Sequence, residues 1–270
     1  MVARGTGPPG RSPRRLGQNF LADPNLLEVI VREAALSPSD VVLEVGGGGG
    51  ALTERLAPAV GRLHVIEVDR RLRRQLEALA QEAGDVELTW GDAMRLDLDR
   101  LTPAPNKMVS NLPYSIATPL LIRTIAQLPT LETWVVMVQR EIADRLRAKA
   151  GGKTYGSASV LVQLACEVEM LRTVDPAVFV PRPRVGSALL RLTRKGPAAS
   201  ENDAAVVRLG FAHRRKSLPR SLELSRAGSL EPARIALEEM GKPVDTRAEA
   251  LSPAEFVRFA DLLARRRGNI

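Results

Sequence analysis

Apolar residues recur through the first two-thirds of the chain in short runs, and amphipathic stretches separate them. Residues 41–45 read as a buried strand, 51–56 as the helix after a glycine turn, and 63–68 as a second strand. Residues 70–82 follow as a helix with a polar face. Segments 86–90 and 107–110 give two more strands, 116–128 a helical run, 133–138 a fifth strand and 140–148 a further helix. Ahead of them Asp23 is a good N-cap and Pro24 fits the first helical position, launching a helix to about residue 35 with Leu26, Leu27, Ile30 and Val31 as its apolar stripe. This alternation predicts an α/β fold, a parallel sheet with helices on both faces.

The pattern changes after residue 148. Residues 149–155 (Lys-Ala-Gly-Gly-Lys-Thr-Tyr) read as a loop, 157–164 as a helix, and 166–174 and 187–192 as two strands with no long helix between them. Such a pair is expected to run antiparallel and close one edge of the sheet. Residues 195–200 have linker composition, and helical patterns follow at 204–212, 217–224, 231–240 and 253–265. Three segments are expected: a flexible basic arm over 1–15, a catalytic domain over 16–194 and an all-helical domain over 201–270.

The formal net charge of +8, carried mostly by arginine, points to a polyanionic partner, nucleic acid before membrane. A GC-rich coding bias would also enrich arginine, so charge alone does not decide the matter. Cys166 is the only cysteine, which rules out an internal disulfide and a cysteine zinc cluster. With His64 and His213 the only histidines, no metal site or histidine-based catalytic pair is expected. No stretch approaches the roughly 20 apolar residues of a membrane span. The basic amino-terminal stretch has no apolar segment before Pro13, so it is not expected to act as a secretory signal. A cytoplasmic monomer is the expectation.

Five consecutive glycines, 46–50, sit between the first sheet strand and its helix. Glycine lets the backbone turn sharply and approach a ligand, and a following helix N-terminus offers free N–H groups. Glu67 ends the next strand, about 20 residues on, where an acid commonly holds ribose hydroxyls. Asp92, in Gly91-Asp92-Ala93, can accept from an adenine amino group. Gly46, Gly48 and Ala51 also satisfy the dinucleotide pattern G-x-G-x-x-A, so nicotinamide and adenosylmethionine readings stand level here. No histidine or Tyr-x-x-x-Lys arrangement suited to hydride chemistry accompanies them.

Instead the fourth strand ends in Asn111-Leu112-Pro113-Tyr114. An adenine amino nitrogen is a poor nucleophile because its lone pair is delocalised into the ring. The Asn111 side-chain oxygen and the Leu112 or Pro113 carbonyl can each accept one amino hydrogen and stabilise positive charge developing on nitrogen. The Pro113 ring stiffens the turn. Tyr114 would stack on one face of the base and Phe179 cover the other, each contact worth roughly 1–3 kcal/mol. Such stacking offsets part of the cost of extruding a nucleotide. Taken singly, Tyr114 can be read as a strand-end core tyrosine and Phe179 reads better as a core aromatic; beside Asn111 the site reading is preferred. Together with the glycine turn, these residues point to a methyltransferase acting on a base amine.

Ordered along the chain, Leu16-Gly17-Gln18-Asn19-Phe20-Leu21, the glycine turn with Ala51-Leu52-Thr53, Asn111-Leu112-Pro113-Tyr114 and Val138-Gln139-Arg140-Glu141 resemble the ribosomal RNA adenine N6-dimethyltransferase family. Tyr155-Gly156, Phe179-Val180-Pro181-Arg182-Pro183-Arg184-Val185, Ser187-Ala188 and Phe211-Ala212-His213-Arg214-Arg215-Lys216 extend the likeness nearly end to end. The resemblance implies a Rossmann-like class I methyltransferase sheet, S-adenosylmethionine as cofactor, and a cofactor site that includes Gln18, Asn19, Leu21, Gly46, Gly48, Glu67, Asp92 and Asn111. It is greatest to the small-subunit branch, which places two methyls on each of two adjacent adenosines in a hairpin near the 3′ end of 16S rRNA. The other branch modifies one adenosine of 23S rRNA and confers macrolide-type resistance. Gly47, Gly49, Arg182 and Gly186 depart from the family's usual residues, and the two glycines are expected to loosen the loop.

Candidate RNA contacts are the arm residues Arg11, Arg14 and Arg15, then Arg140, Arg145, Arg147, Lys149 and Lys153, and finally Arg214, Arg215 and Lys216. The expected partner is 16S rRNA within an immature 30S subunit. An assembly factor with methylation secondary is the alternative from another class.

Overall fold

A computed structural model describes residues 19–267; the expected basic arm and Gln18 lie outside the described residues. The sheet strands are β2 (Val41–Val45), β3 (Arg62–Glu67), β4 (Val86–Trp90), β5 (Lys107–Asn111), β6 (Thr133–Gln139), β7 (Cys166–Val174) and β9 (Ser187–Arg194). Two-residue strands β1 (Phe20–Leu21) and β8 (Phe179–Val180) pair separately and antiparallel. The helices are α1 (Pro24–Ala34), α2 (Thr53–Leu56), α3 (Arg73–Ala83), α4 (Ala117–Gln127), α5 (Arg140–Leu146) and α6 (Ser157–Ala165). Beyond the sheet come α7 (Glu201–Ala212), α8 (Leu218–Ser225), α9 (Leu230–Glu239) and α10 (Pro253–Arg267).

The sheet order is β4-β3-β2-β5-β6-β9-β7, parallel from β4 to β6, with β9 antiparallel to both of its neighbours. The expected antiparallel pair therefore does close one edge. Successive side chains on a strand point to opposite faces. Accordingly Leu43, Met108 and Val136 pack with Leu120 and Leu121 of α4, whereas Val42, Val109 and Val135 pack with Leu26 and Ile30 of α1. Both faces being covered explains why these strands read as continuous apolar runs.

After β4 the chain crosses back to lay β5 on the other side of β2, so the strand order reverses between β2 and β5. Those two strands pair only at Val42↔Lys107 and Leu43↔Met108, whereas β5 stays in register with β6 from Lys107↔Thr133 to Asn111↔Met137. Toward their carboxyl ends β2 and β5 thus part. The buried Val45 N–H donates to the Ser110 hydroxyl at 2.9 Å instead of to a ladder carbonyl. A crevice at the carboxyl ends of the strands beside such a reversal is where open α/β sheets bind ligands.

Two expectations change in detail. The helix after the glycine turn is a single turn, α2, continued by a 3-10 turn over Ala57–Ala59, where Pro58 lacks the N–H that another helical bond would need. The helical core is also not built from residues 201–270 alone. Tyr155, Val160 and Leu161 join Val206, Leu222 and Phe256 there, while Ala158, Val162 and Ala165 of the same α6 pack on the sheet. Tyr155 is fully buried and its hydroxyl donates to the Leu251 carbonyl at 2.9 Å.

Tyr155→Phe should cost about 1–3 kcal/mol, because the buried Leu251 carbonyl loses its donor. Tyr155→Ala should cost about 3–5 kcal/mol, as expected when a buried aromatic leaves a cavity. Equilibrium urea unfolding of the two variants measures both.

Candidate active site

A cleft opens at the carboxyl ends of β2 to β5, lined by Gly46, Gly48, Glu67, Asp92, Asn111 and Tyr114 among others. Its empty volume, open mouth included, is about 930 Å³. Gly46 has φ +85°, and a Cβ there would sit 3.3 Å from the Pro113 ring. Gly48 has φ +55°, and a Cβ would sit 3.2 Å from the Phe20 ring. Glycine at these two positions lets the segments carrying Asn111 and Asn19 close on the turn. The two glycines expected to loosen the loop both make close contacts. Gly47 packs so tightly that a Cβ would lie 2.6 Å from the Val65 side chain, and Gln75 Nε2 donates to the Gly49 carbonyl at 2.6 Å.

Glu67 is 4% exposed, and three backbone groups orient its carboxylate. Val68 N–H and Asp69 N–H donate to Oε1 at 2.8 and 2.7 Å, and Gly48 N–H donates to Oε2 at 2.9 Å. An ionised carboxylate offers about four acceptor positions, so one remains, on Oε2. Holding two ribose hydroxyls, as anticipated, requires the Gly48 N–H to give way. Asp92 enters the cleft from the turn after β4, its Oδ1 accepting from Met94 N–H at 2.9 Å.

On the other wall, Asn111 Nδ2 donates to the Asn19 carbonyl at 3.0 Å. A carbonyl can only accept, so this bond fixes which way the amide points and leaves Oδ1 as the acceptor. The Pro113 carbonyl already accepts from Ile116 N–H at 3.1 Å, whereas the Leu112 carbonyl carries no such bond among the described residues. Of the two backbone acceptors left open by the sequence, the geometry favours Leu112, whose side chain is buried and contributes only packing. Tyr114 lines the cleft, and its hydroxyl lies 2.6 Å from the Ser187 hydroxyl, which holds the ring in place. Burial pushes the Tyr114 phenol above its ordinary value, with the Ser187 bond acting the other way.

Two anticipated residues stand elsewhere. Phe179 is 2% exposed and packs in the core with Leu21, its partner across the β1–β8 pair. Strand alternation turns Phe179 inward and Val180 outward, so in this conformation its ring does not form a cleft wall. Leu21 is buried behind the wall for the same reason. Phe20, between Asn19 and Leu21, lines the cleft instead, as do Val68 and Ile116. Sequence patterning passed over Phe20 and Ser187 because only pairing between distant segments brings them to the site.

The basic candidates Arg140, Arg147, Lys153, Arg214, Arg215 and Lys216 are all exposed. Arg140 begins α5, pairs with Asp144 at 3.2 Å, and its backbone N–H donates to the Gly186 carbonyl, next to Ser187. Arg214 is engaged within the fold, its Nη2 donating to the Tyr155 carbonyl at 2.8 Å and reaching Glu249 at 3.4 Å. That clasp brings residues 214–216 against the loop carrying Lys149 and Lys153.

The model of the family described as ribosomal RNA adenine dimethylase matches residues 11–265. The chain belongs to this family. Curated relatives support the assignment. A ribosomal RNA small subunit methyltransferase A from Rubrobacter xylanophilus is 42% identical over 254 residues, 92% of this chain and 95% of the relative. One from Pelotomaculum thermopropionicum is 41% identical over 93% of this chain and 92% of its own length. Among solved structures, a dimethyladenosine transferase from Plasmodium falciparum shares the fold at TM-score 0.78 and 24% identity, covering 93% of this chain and 98% of that one. The 23S rRNA methyltransferase ErmE aligns at TM-score 0.66 and 26% identity, over 91% and 99%.

As a member of the adenine dimethylase family the chain is an S-adenosylmethionine-dependent rRNA methyltransferase, and its cleft suits that cofactor. The cradle at Gly46 and Gly48, which side chains would fill, the oriented Glu67 carboxylate and the accessible Asp92 match a nucleoside with polar ends. S-adenosylmethionine supplies an electrophilic methyl. Beneath the cradle Glu44 is 1% exposed, and its Oε2 accepts from the Thr53 hydroxyl at 2.7 Å, tying one end of the glycine turn to the other. Burial pushes this carboxyl up to about 8; Thr53 opposes the shift and the nearby Glu67 charge adds to it.

A carboxyl raised in the folded state favours folding while it stays protonated, and that contribution is lost as pH climbs toward the folded value. The parent should therefore lose stability relative to Glu44→Gln between pH 4.5 and about 8, with the difference level above that. Thermal melts of the two proteins across this range measure it.

Proposed function

We propose that this enzyme transfers two methyls to N6 of each of two adjacent adenosines near the 3′ end of 16S rRNA. On this reading it works as a cytoplasmic monomer on an immature small subunit. The observation that carries the proposal is the Asn111 amide, held by the Asn19 carbonyl so that Oδ1 and the Leu112 carbonyl form a pair of fixed acceptors beside Tyr114. The adenine amino group donates one hydrogen to each. As nitrogen rehybridises and becomes positive, both acceptors are already oriented, so little reorganisation opposes the change. Tyr114, pinned by Ser187, stacks on one face of the base. The amine proton becomes acidic once nitrogen is positive, so water can take it and no histidine is needed.

Small-subunit specificity is supported by the relatives, named as small-subunit enzymes at about 41–42% identity over most of the chain. RNA outside the flipped base is held by Arg140 near the cleft and by the basic cluster of Lys149, Lys153, Arg215 and Lys216. The arm residues Arg11, Arg14 and Arg15 lie outside the described residues. Incubating under-methylated 30S and 50S particles with a labelled methyl donor, then mapping the modified base, tests the target. Labelling of 50S alone would favour the 23S reading, and binding without labelling an assembly factor.

Asn111→Ala should slow transfer by about 10²–10³-fold, equivalent to about 2.7–4 kcal/mol, the loss expected for one preorganised polar contact. Cofactor affinity should change little. Near-normal turnover on 30S particles would sink the role of the amide. Replacing Lys153, Arg215 and Lys216 together by alanine should lower the slope of log affinity against log salt by about 2, as loss of three phosphate contacts to single strands implies. Filter binding at several salt concentrations measures it, and an unchanged slope removes this cluster from the interface.

A further inference from the structure

Asp92 stands on a turn whose neighbouring residues Ala93, Met94 and Leu96 pack on the core while its own side chain stays partly exposed. The Arg95 and Leu96 N–H groups close it onto the Asp92 carbonyl at 2.8 and 3.0 Å, and Gly91 N–H ties it to the end of β3 through the Glu67 carbonyl. The far side of the turn is held from α4. Arg123 spans it, Nη1 donating to the Ala93 carbonyl and Nη2 to the Leu96 carbonyl, both at 2.6 Å. Its Nε donates to Gln127 Oε1 at 2.7 Å, which orients the plane of the guanidinium. All three bonds use the rigid fork that distinguishes arginine from lysine. Ala93 and Asp92 both line the cleft; Arg123 does not.

The same helix is anchored at its other end to the catalytic turn. Ile116, immediately before α4, lines the cleft and donates its N–H to the Pro113 carbonyl. Helix α4 is therefore tied at its start to the Asn-Leu-Pro-Tyr turn and, through Arg123 two helical turns later, to the Asp92 turn.

We infer that Arg123 is a positioning residue for the cofactor, holding the Asp92 turn so that its carboxylate meets the adenine amino group. This rests on Asp92 as the adenine-binding acid. Arginine has the reach and the two parallel donors to hold carbonyls three residues apart; a lysine ammonium lacks that fixed planar fork.

Calorimetric titration of S-adenosylhomocysteine into the parent, Arg123→Ala, Arg123→Lys, Asp92→Ala and the Arg123→Ala/Asp92→Ala double variant tests the inference. Arg123→Ala should weaken binding about tenfold, the scale of coupling within one hydrogen-bonded network. Arg123→Lys should fall between parent and Arg123→Ala, and it carries the comparison if the alanine variant does not fold. The double variant should bind no more than about twofold more weakly than Asp92→Ala, because both changes disable one contact. The S-inosylhomocysteine analogue, which lacks the amino group, should bind parent and Arg123→Ala alike. In turnover, Arg123→Ala should raise KM for the methyl donor and leave kcat within about threefold, a split that uniform loss of binding produces.

Parent-like cofactor affinity in both Arg123 variants would reduce the residue to a structural clasp and overturn the inference. So would simple addition of the two losses in the double variant. Parent-like affinity in Asp92→Ala alone would overturn the adenine contact itself, and with it this route of action.

Discussion

The parting of β2 from β5 is the constraint on which the rest of this molecule depends. Parallel strands on either side of an order reversal send their connections to opposite edges, so no crossover covers the gap between their carboxyl ends. Here the two strands share two register pairs and then separate, and a serine hydroxyl substitutes for the lost ladder partner of Val45. Without that hydroxyl a buried N–H would stand without an acceptor just where the glycine turn begins. The separation creates the cleft, and the polar replacement lets the backbone tolerate it.

Both halves of the site lean on this opening. The glycine turn leaves β2, the Asn-Leu-Pro-Tyr turn leaves β5, and the absence of a Cβ at Gly46 lets the Pro113 ring settle against the turn. Across the mouth, the short β1–β8 pair delivers Asn19, whose carbonyl decides the orientation of Asn111. The two walls of the cleft are thus parts of one packed unit, so a change in one is transmitted to the other through a few identifiable contacts.

The helical region is attached to this unit by shared packing as well as by the chain. Helix α6 faces the sheet with one side and the helical core with the other, and Tyr155 and Arg214 fasten the junction. Basic residues some 60 positions apart are therefore brought onto adjoining segments.

Sheet strands, most helices and the antiparallel edge were legible in the sequence, because each rests on local periodicity, and the glycine turn, Glu67, Asp92 and Asn111 do stand at one cleft. The family, too, was legible, since its motifs are runs of neighbouring residues. Only the tertiary structure decided that the Pro113 carbonyl already accepts a bond from Ile116 N–H, that Phe179 faces the core while Phe20 faces the cleft, and that Arg123 reaches the Asp92 turn. Each of these depends on which distant group occupies a donor or acceptor, and hydrogen bonds between segments dozens of residues apart leave no periodicity to read. The division at the linker failed as a packing boundary for a related reason: α6 is apolar on two sides, and a sequence pattern records that a face is buried without saying against what.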